Sequence, residues 1–342
     1  MALPDTSRKR RPTIYDVADR AGVSHQSVSR YVKGTTIREA TRAAIEAAIE
    51  DLGFRPNQTA RALATNRSYR LGALVYQLHE LGPNRIVAGA ARAAREAGYL
   101  LDIISLDPED DAEIAHAIDL LEDQQLAGVF AMAPTRRLRE ALAGLEHRVP
   151  FLPDTEPLYD GTAATESLNT RGARLAMEHL LSLGHERILH VSGPRDWISA
   201  INREAVYREA LASAGHPVPP VVEGTWTAAS GYEAIRALPD PLEATAIFAA
   251  NDQMAMGVFR ALWERGVAVP GAVSVVGFDD VPESAFTVPP LTTVRLDFAE
   301  RGRSAVEQLI GMIEGRADAQ HSPAEPDEVA LVVRGSTAPA SS

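Results

Sequence analysis

Two hydrophobic rhythms divide the chain. In the first the apolar residues recur at helical spacing: Ile14, Val17 and Ala18 stand at i, i+3, i+4 behind Thr13, whose hydroxyl and the Asp16 carboxylate three residues on form a helix-start pair. Gly22 stops this helix, Ser24 offers a second N-cap, and His25 to Val32 predicts a second helix after a short turn, which makes a helix-turn-helix. Val28 and Val32 face inward on it; His25, Ser29 and Lys33 form one outward ridge, and Gln26 with Arg30 forms the next. After Gly34 a third helix, Glu39 to Leu52, is expected to close a small core with Ala43, Ala44, Ile45, Ala47, Ala48 and Ile49, and Gly53 ends it. Phe54-Arg55-Pro56-Asn57 breaks the pattern, and Gln58 to Ala64 contains good helix formers but is too short to be a stable helix alone.

From Leu71 short apolar runs alternate with helical stretches. Leu71–Tyr76, Leu100–Ile104 and Ala127–Met132 form one series of buried-strand candidates; Ile188–Val191, Val221-Val222, Ala246–Ala250 and Ser274–Gly277 form a second. The spacing is that of βαβ units, so each series predicts a parallel sheet with helices on both faces. Val329 to Val333 is a last strand candidate. The fold class is therefore α/β: an all-α head of residues 1–56, a linker of residues 57–70, and a doubly wound body of residues 71–342.

Composition sharpens this division. The chain has 342 residues and no Cys, which excludes a disulfide scaffold and any Cys-ligated metal. Its net charge of -12 speaks against a polyanion partner until it is split along the chain. Residues 1–70 carry 13 Lys+Arg against 7 Asp+Glu, a net of +6, while the remaining residues carry 21 against 39, a net of -18. A basic head on an acidic body points to nucleic-acid contact confined to one end, and Arg8 to Arg11 adds a basic run before the first helix. No apolar run follows Met1 and none approaches membrane-spanning length, so a cytoplasmic protein without membrane contact is expected.

The outward ridges of the second helix carry base-reading chemistry: Gln bonds adenine bidentately, Arg does so to guanine, and His and Ser adapt as donors or acceptors. In the body, ligands of parallel sheets bind beyond the carboxyl ends of the strands. Those ends read Ser192-Gly193-Pro194, Asn251-Asp252 and Gly277-Phe278-Asp279-Asp280. With Arg203 these amides and carboxylates suit paired hydrogen bonds to vicinal hydroxyls, and Trp197 and Trp226 offer flat faces to a sugar ring. Plain helix capping by Asn251, Asp279 and Asp280 fits the same positions. No nucleophile elbow, zinc-helix motif, P-loop or dinucleotide fingerprint is present, so no catalytic residue, metal or cofactor is expected. A solute-binding protein for an importer would have no use for Thr13 to Arg30.

Thr13 to Ala18, Ala21-Gly22-Val23-Ser24, Ser27 to Arg30 and Arg55-Pro56-Asn57 through Leu63-Ala64 resemble the DNA-binding head and hinge of the lactose-repressor (LacI/GalR) family. So, in the body, do Glu178-His179-Leu180 through His185, Ala250 to Gly257, Ser274 to Asp280 and Pro289 to Thr293 resemble its effector domain. The resemblance implies that His25, Gln26 and Arg30 read bases, that Thr13, Tyr15, Ser24 and Asn57 contact the DNA backbone, and that Leu63 and Ala64 enter the minor groove from a hinge helix, with Leu63 as a wedge. It implies a body similar to periplasmic sugar-binding proteins, with subdomains of about 71–168 plus 298–325 and 169–297 plus 326–337. Arg203, Asn251 and Asp279 then match sugar-contacting positions, Trp226 the stacking aromatic and Phe298 a wall residue. Tyr76, Gln125 and Asp154 fall at pocket positions of the first half, Gln125 standing where the repressor that names the family has Arg. The implied protein is a homodimeric repressor on a pseudo-palindromic double-stranded operator, released by a small sugar or glycoside. A purine or protein corepressor that tightens DNA binding is the alternative within the family.

Overall fold

The computed structural model describes residues 12–32, 36–54, 67–76, 78, 80–123, 125–143, 148–316 and 329–340, and the chain divides into two compact units between Tyr69 and Arg70.

The first unit is helical. Helices α1 (Ile14–Ala21), α2 (His25–Val32) and α3 (Glu39–Leu52) enclose Val17, Ala18, Val28, Ile45, Ala48 and Phe54. Thr13 and Asp16 close a reciprocal capping box, and Gly22 and Gly53 end α1 and α3 in the left-handed conformation that glycine adopts without a Cβ clash. Of the alanines expected in the core, Ala43 and Ala47 are exposed and Ala44 is half-buried. One face of α3 meets α1 and α2, and the positions a half-turn from Ile45 and Ala48 turn to solvent.

The second unit holds two sheets. Strands β1 (Arg70–Tyr76), β2 (Leu100–Leu106), β3 (Gly128–Met132) and β4 (Phe151–Asp154) form a parallel sheet in the order β2-β1-β3-β4. Helices α4 (Leu81–Glu96), α5 (Asp111–Asp123) and α6 (Arg136–Ala143) belong to it. Leu74, Ile104 and Ala131 pack with Ile114 of α5 and Leu138 and Leu142 of α6.

The chain then crosses over. Helix α7 (Leu168–Ser182) leads into β5 (Ile188–Ser192), α8 (Ile198–Ser213), β6 (Val222–Glu223), α9 (Ala228–Arg236), β7 (Ala246–Ala249), α10 (Asp252–Glu264), β8 (Ser274–Phe278) and β9 (Thr292–Leu296). Ile247 and Ala249 pack with Ile235 of α9 and Met254 and Val258 of α10. Phe248 points the other way and stacks on His190, which lies against Tyr207 of α8. Burial pushes the His190 imidazole down to about 4, so it serves as a neutral core ring.

After β9 the chain returns to the first sheet as α11 (Phe298–Glu314), packed on α4 so closely that a Cβ at Gly89 or Gly302 would meet a backbone carbonyl of the facing helix. The last strand, β10 (Val329–Val332), joins the second sheet beside β9, giving the order β10-β9-β8-β7-β5-β6. It runs antiparallel to β9, an orientation on which the sequence reading of Val329 to Val333 as a last strand is silent. Because α11 lies on the first subdomain, the chain re-enters the second from the opposite end. No described helix is long and apolar enough to cross a membrane.

Candidate functional site

Helix α2 presents His25, Gln26 and Arg30 to solvent while Val28 is fully buried beneath them. Ser29 is half-buried on the flank, and Tyr15, 61% exposed, holds its ring 5.4 Å from that of His25. Ser24 Oγ accepts from the Ser27 backbone N–H at 3.2 Å, starting α2 as a capping residue. The Thr13 hydroxyl lies 2.7 Å from Asp16 Oδ2 within the capping box. Arg20 pairs with Asp51 at 2.6 Å, tying α1 to α3. Lys33, Asn57, Leu63 and Ala64 lie outside the described residues.

In the second unit a cavity of about 110 Å³ opens at the carboxyl ends of both sheets. Tyr76, Met132 and Asp154 end β1, β3 and β4; Trp226, Asn251, Asp279 and Phe298 follow β6, β7, β8 and β9. The cavity brings together Tyr76, Asp154, Trp197, Arg203, Trp226, Asn251, Asp279 and Phe298 of the positions singled out in the sequence. Gln125 is not among them: it is exposed, and it precedes β3. That is the amino end of a strand whose full length separates it from the cavity.

An aromatic wall crosses the site. Tyr76 meets Trp197 edge-on at 5.2 Å, and Trp197 meets Trp226 in the same way at 5.6 Å. Trp197 also joins the subdomains, because its backbone bridges Thr135 and its Nε1 donates to Glu109 Oε1 at 3.2 Å. Ile198 N donates to Pro134 O at 2.9 Å beside it. The Trp226 ring occupies the space that a Cβ at Gly193 would need, so glycine there lets the indole lie on the end of β5. Trp226 and Asp279 hold positive φ values of 67° and 105°, and with Asp280 they are the non-glycine residues in that region among those described. Strained backbone of this kind concentrates at functional sites.

Arg203 organises the polar wall. Its Nε and Nη2 donate to Asn169 Oδ1 at 2.9 and 2.6 Å, its Nη1 donates to Ala250 O, and its guanidinium lies 3.7 Å over the Phe278 ring. Burial lowers the pKa of Arg203 against the pull of Asp279 and Glu156. Burial likewise raises the Asp279 carboxyl to about 7, which the nearby Arg203 charge opposes. Asn251 caps α10 by accepting from Met254 N at 2.8 Å and donates Nδ2 to Trp226 O at 2.9 Å, so capping and cavity lining are both its work.

Across the cavity Arg301 donates Nε and Nη2 to Asp154 Oδ1 at 3.0 and 2.7 Å. Asp280 faces away: Arg295 and Arg334 hold its carboxyl below the usual range despite burial. Glu80, Glu156, Asn169 and Arg301 line the cavity without any sequence signal to mark them, since none follows a strand end in a recognisable motif.

This architecture recurs in known proteins. Residues 13–57 match the family model described as bacterial regulatory proteins, lacI family, and residues 177–337 match a periplasmic binding protein-like domain. The lactose operon repressor of Escherichia coli (strain K12) is 33% identical over 315 residues, 89% of this chain and 86% of that protein. A crystal structure of the lac repressor dimer bound to operator and the anti-inducer ONPF is 32% identical and superposes with a TM-score of 0.78 over 96% of this chain and 100% of the other. A complex of the transcriptional regulator CelR with cellobiose is 30% identical with a TM-score of 0.67, over 95% of this chain and 100% of the other. The chain belongs to the lacI family of bacterial regulatory proteins.

Proposed function

We propose that the protein is a sequence-specific transcriptional repressor whose operator affinity falls when a small sugar or glycoside fills the cavity. The observation that carries this reading is a cavity walled by the strand ends of two sheets, in a chain that begins with a helix-turn-helix. An occupant touching both walls favours one angle between the subdomains, and a ligand shifts such an equilibrium by its differential affinity for the two states. In this reading His25, Gln26 and Arg30 read base edges, with Ser29 and Lys33 beside them, and Thr13, Tyr15, Ser24 and Asn57 contact phosphates. Leu63 and Ala64 enter the minor groove. The sugar stacks on Trp197 and Trp226, hydrogen-bonds Asn251, Asp279, Arg203 and Asp154, and is walled by Tyr76 and Phe298.

The working form is a homodimer on a pseudo-palindromic operator. Phe286 and Val288, 85% and 93% exposed, and Leu100 and Ile103 on the edge strand β2 supply apolar surface for self-association.

Fluorescence anisotropy with duplexes from the protein's own promoter tests the proposal. Binding is expected to prefer a palindromic site to scrambled DNA, to weaken steeply with salt, and to weaken on adding a sugar. Equal binding to both duplexes, or a flat salt response, overturns it. A small molecule that tightens binding replaces the inducer reading with the corepressor one.

A further inference from the structure

Three buried polar atoms in the cavity wall have no hydrogen-bond partner among the described residues: Glu156 Oε2, Asp279 Oδ1 and Trp226 Nε1. Buried polar groups are normally paired, and such exceptions inside a cavity mark where a ligand supplies the missing partner. Two are carboxylate acceptors that call for donors, and one is a donor that calls for an oxygen.

Glu156 is held for this task. It lies on the crossover between β4 and α7, and its Oε1 accepts from Asn169 Nδ2 at 2.8 Å. The Asn169 carbonyl oxygen is in turn fixed by two donors of Arg203. One oxygen of Glu156 is thereby committed within the protein, and Oε2 remains as the open acceptor.

Each cationic group of the wall already holds acceptors of the protein itself. Arg301 places two donors on Asp154, and Arg203 is engaged by Asn169 and Ala250 O. Around them stand the carboxyl groups of Glu80, Asp154, Glu156 and Asp279, four against two guanidiniums among the described lining residues. A ligand phosphate or carboxylate would enter a site rich in acceptors, and like charge at close range is a common means of rejecting a wrong partner.

We propose that Glu156 is a second ligand-contacting carboxylate beside Asp279, and that together they select a neutral polyhydroxyl ligand and exclude phosphorylated or carboxylated sugars. The proposal rests on the sugar-effector reading above. Vicinal hydroxyls donate to the two carboxylate oxygens, and a ring or hydroxyl oxygen of the sugar accepts from Trp226 Nε1.

The test is calorimetry and thermal shift on the full-length protein with glucose, galactose, ribose and cellobiose, and with the phosphate esters and uronates of these sugars. At least one neutral sugar is expected to bind, with its anionic derivatives tenfold or more weaker. Glu156→Gln keeps an acceptor for Asn169 but turns the open oxygen into a donor and removes the charge. It should weaken the neutral sugar tenfold or more, narrow the gap to the anionic derivatives, and leave the unliganded melting temperature unchanged. Should that variant unfold, Glu156→Asp serves instead: it shortens the reach but keeps the charge, so neutral affinity drops while anions stay excluded. An anionic sugar bound as tightly as its neutral parent overturns the proposal, as does an unchanged neutral-to-anionic ratio in Glu156→Gln or a loss of anion exclusion in Glu156→Asp. If no sugar of either kind binds, the effector reading itself fails and this inference falls with it.

Discussion

Arg203 Nη2 stops 3.7 Å from Asp279 Oδ1, an ion pair too long to be a hydrogen bond, although both side chains are almost wholly buried. Arg203 directs its donors to Asn169 and Ala250 instead, so Asp279 keeps an open acceptor in the cavity, and burial raises its carboxyl to about 7 against the pull of the Arg203 charge.

That value predicts a pH-dependent effector. Hydroxyl donors favour the ionised carboxylate, so sugar affinity should rise as pH climbs through about 7, with a proton released on binding below it. In the unliganded protein the sign is opposite. The folded state holds this proton more tightly than the unfolded chain does, so the contribution of Asp279 to stability is lost as pH rises from the ordinary carboxylate range toward about 7. Calorimetry one unit either side of that value checks the first claim. A flat affinity, or a slope that survives in Asp279→Asn, sinks it.

Arg203→Lys should damage the wall despite keeping its charge. A single ammonium has no planar fork with which to hold Asn169 and Ala250 O together over the Phe278 ring. Each acceptor left unpaired costs on the order of 1–3 kcal/mol. Chemical denaturation of the body should show a lowered midpoint and calorimetry a weaker sugar, while a midpoint equal to the parent's would show the network to be dispensable.

Arg30→Ala removes an exposed side chain. Operator affinity should fall by roughly 1–3 kcal/mol, with preference relaxed at one base position and sugar binding intact. Binding to a library randomised at single positions reads this out. A loss spread evenly over all sequences would make Arg30 a phosphate contact.

Thr13→Ala opens the capping box with Asp16. The first helix should lose about 1 kcal/mol. Hydrogen exchange should quicken at α1 amides and leave the sheets of the second unit unchanged; protection unchanged at α1 would show that α3 packing alone holds the helix.

The sequence by itself determined α1 to α3, most of the strands and the place of the cavity's second half, whereas β4 and β9 carried no strand signal strong enough to be read. The Thr13 and Gly22 signals bound α1, strand runs recur at βαβ spacing, and Asn251 and Asp279 just past strand ends face the crevice while Asp252 and Asp280 beside them do not, because backbone geometry and Cβ direction are local properties. Asn251 and Asp279 are legible on that ground, and Arg203 and Trp226 are legible by their side-chain chemistry and by their position in the family resemblance. Only the tertiary structure decided which alanines of α3 are buried, that Gln125 lies at the wrong end of β3, and that β10 runs antiparallel. It alone brought Glu156, Asn169 and Arg301 to the cavity, from a crossover and two helices far apart in the chain. Their partners are set by the packing of two subdomains, and no local period records which buried oxygen is left open when that packing is complete.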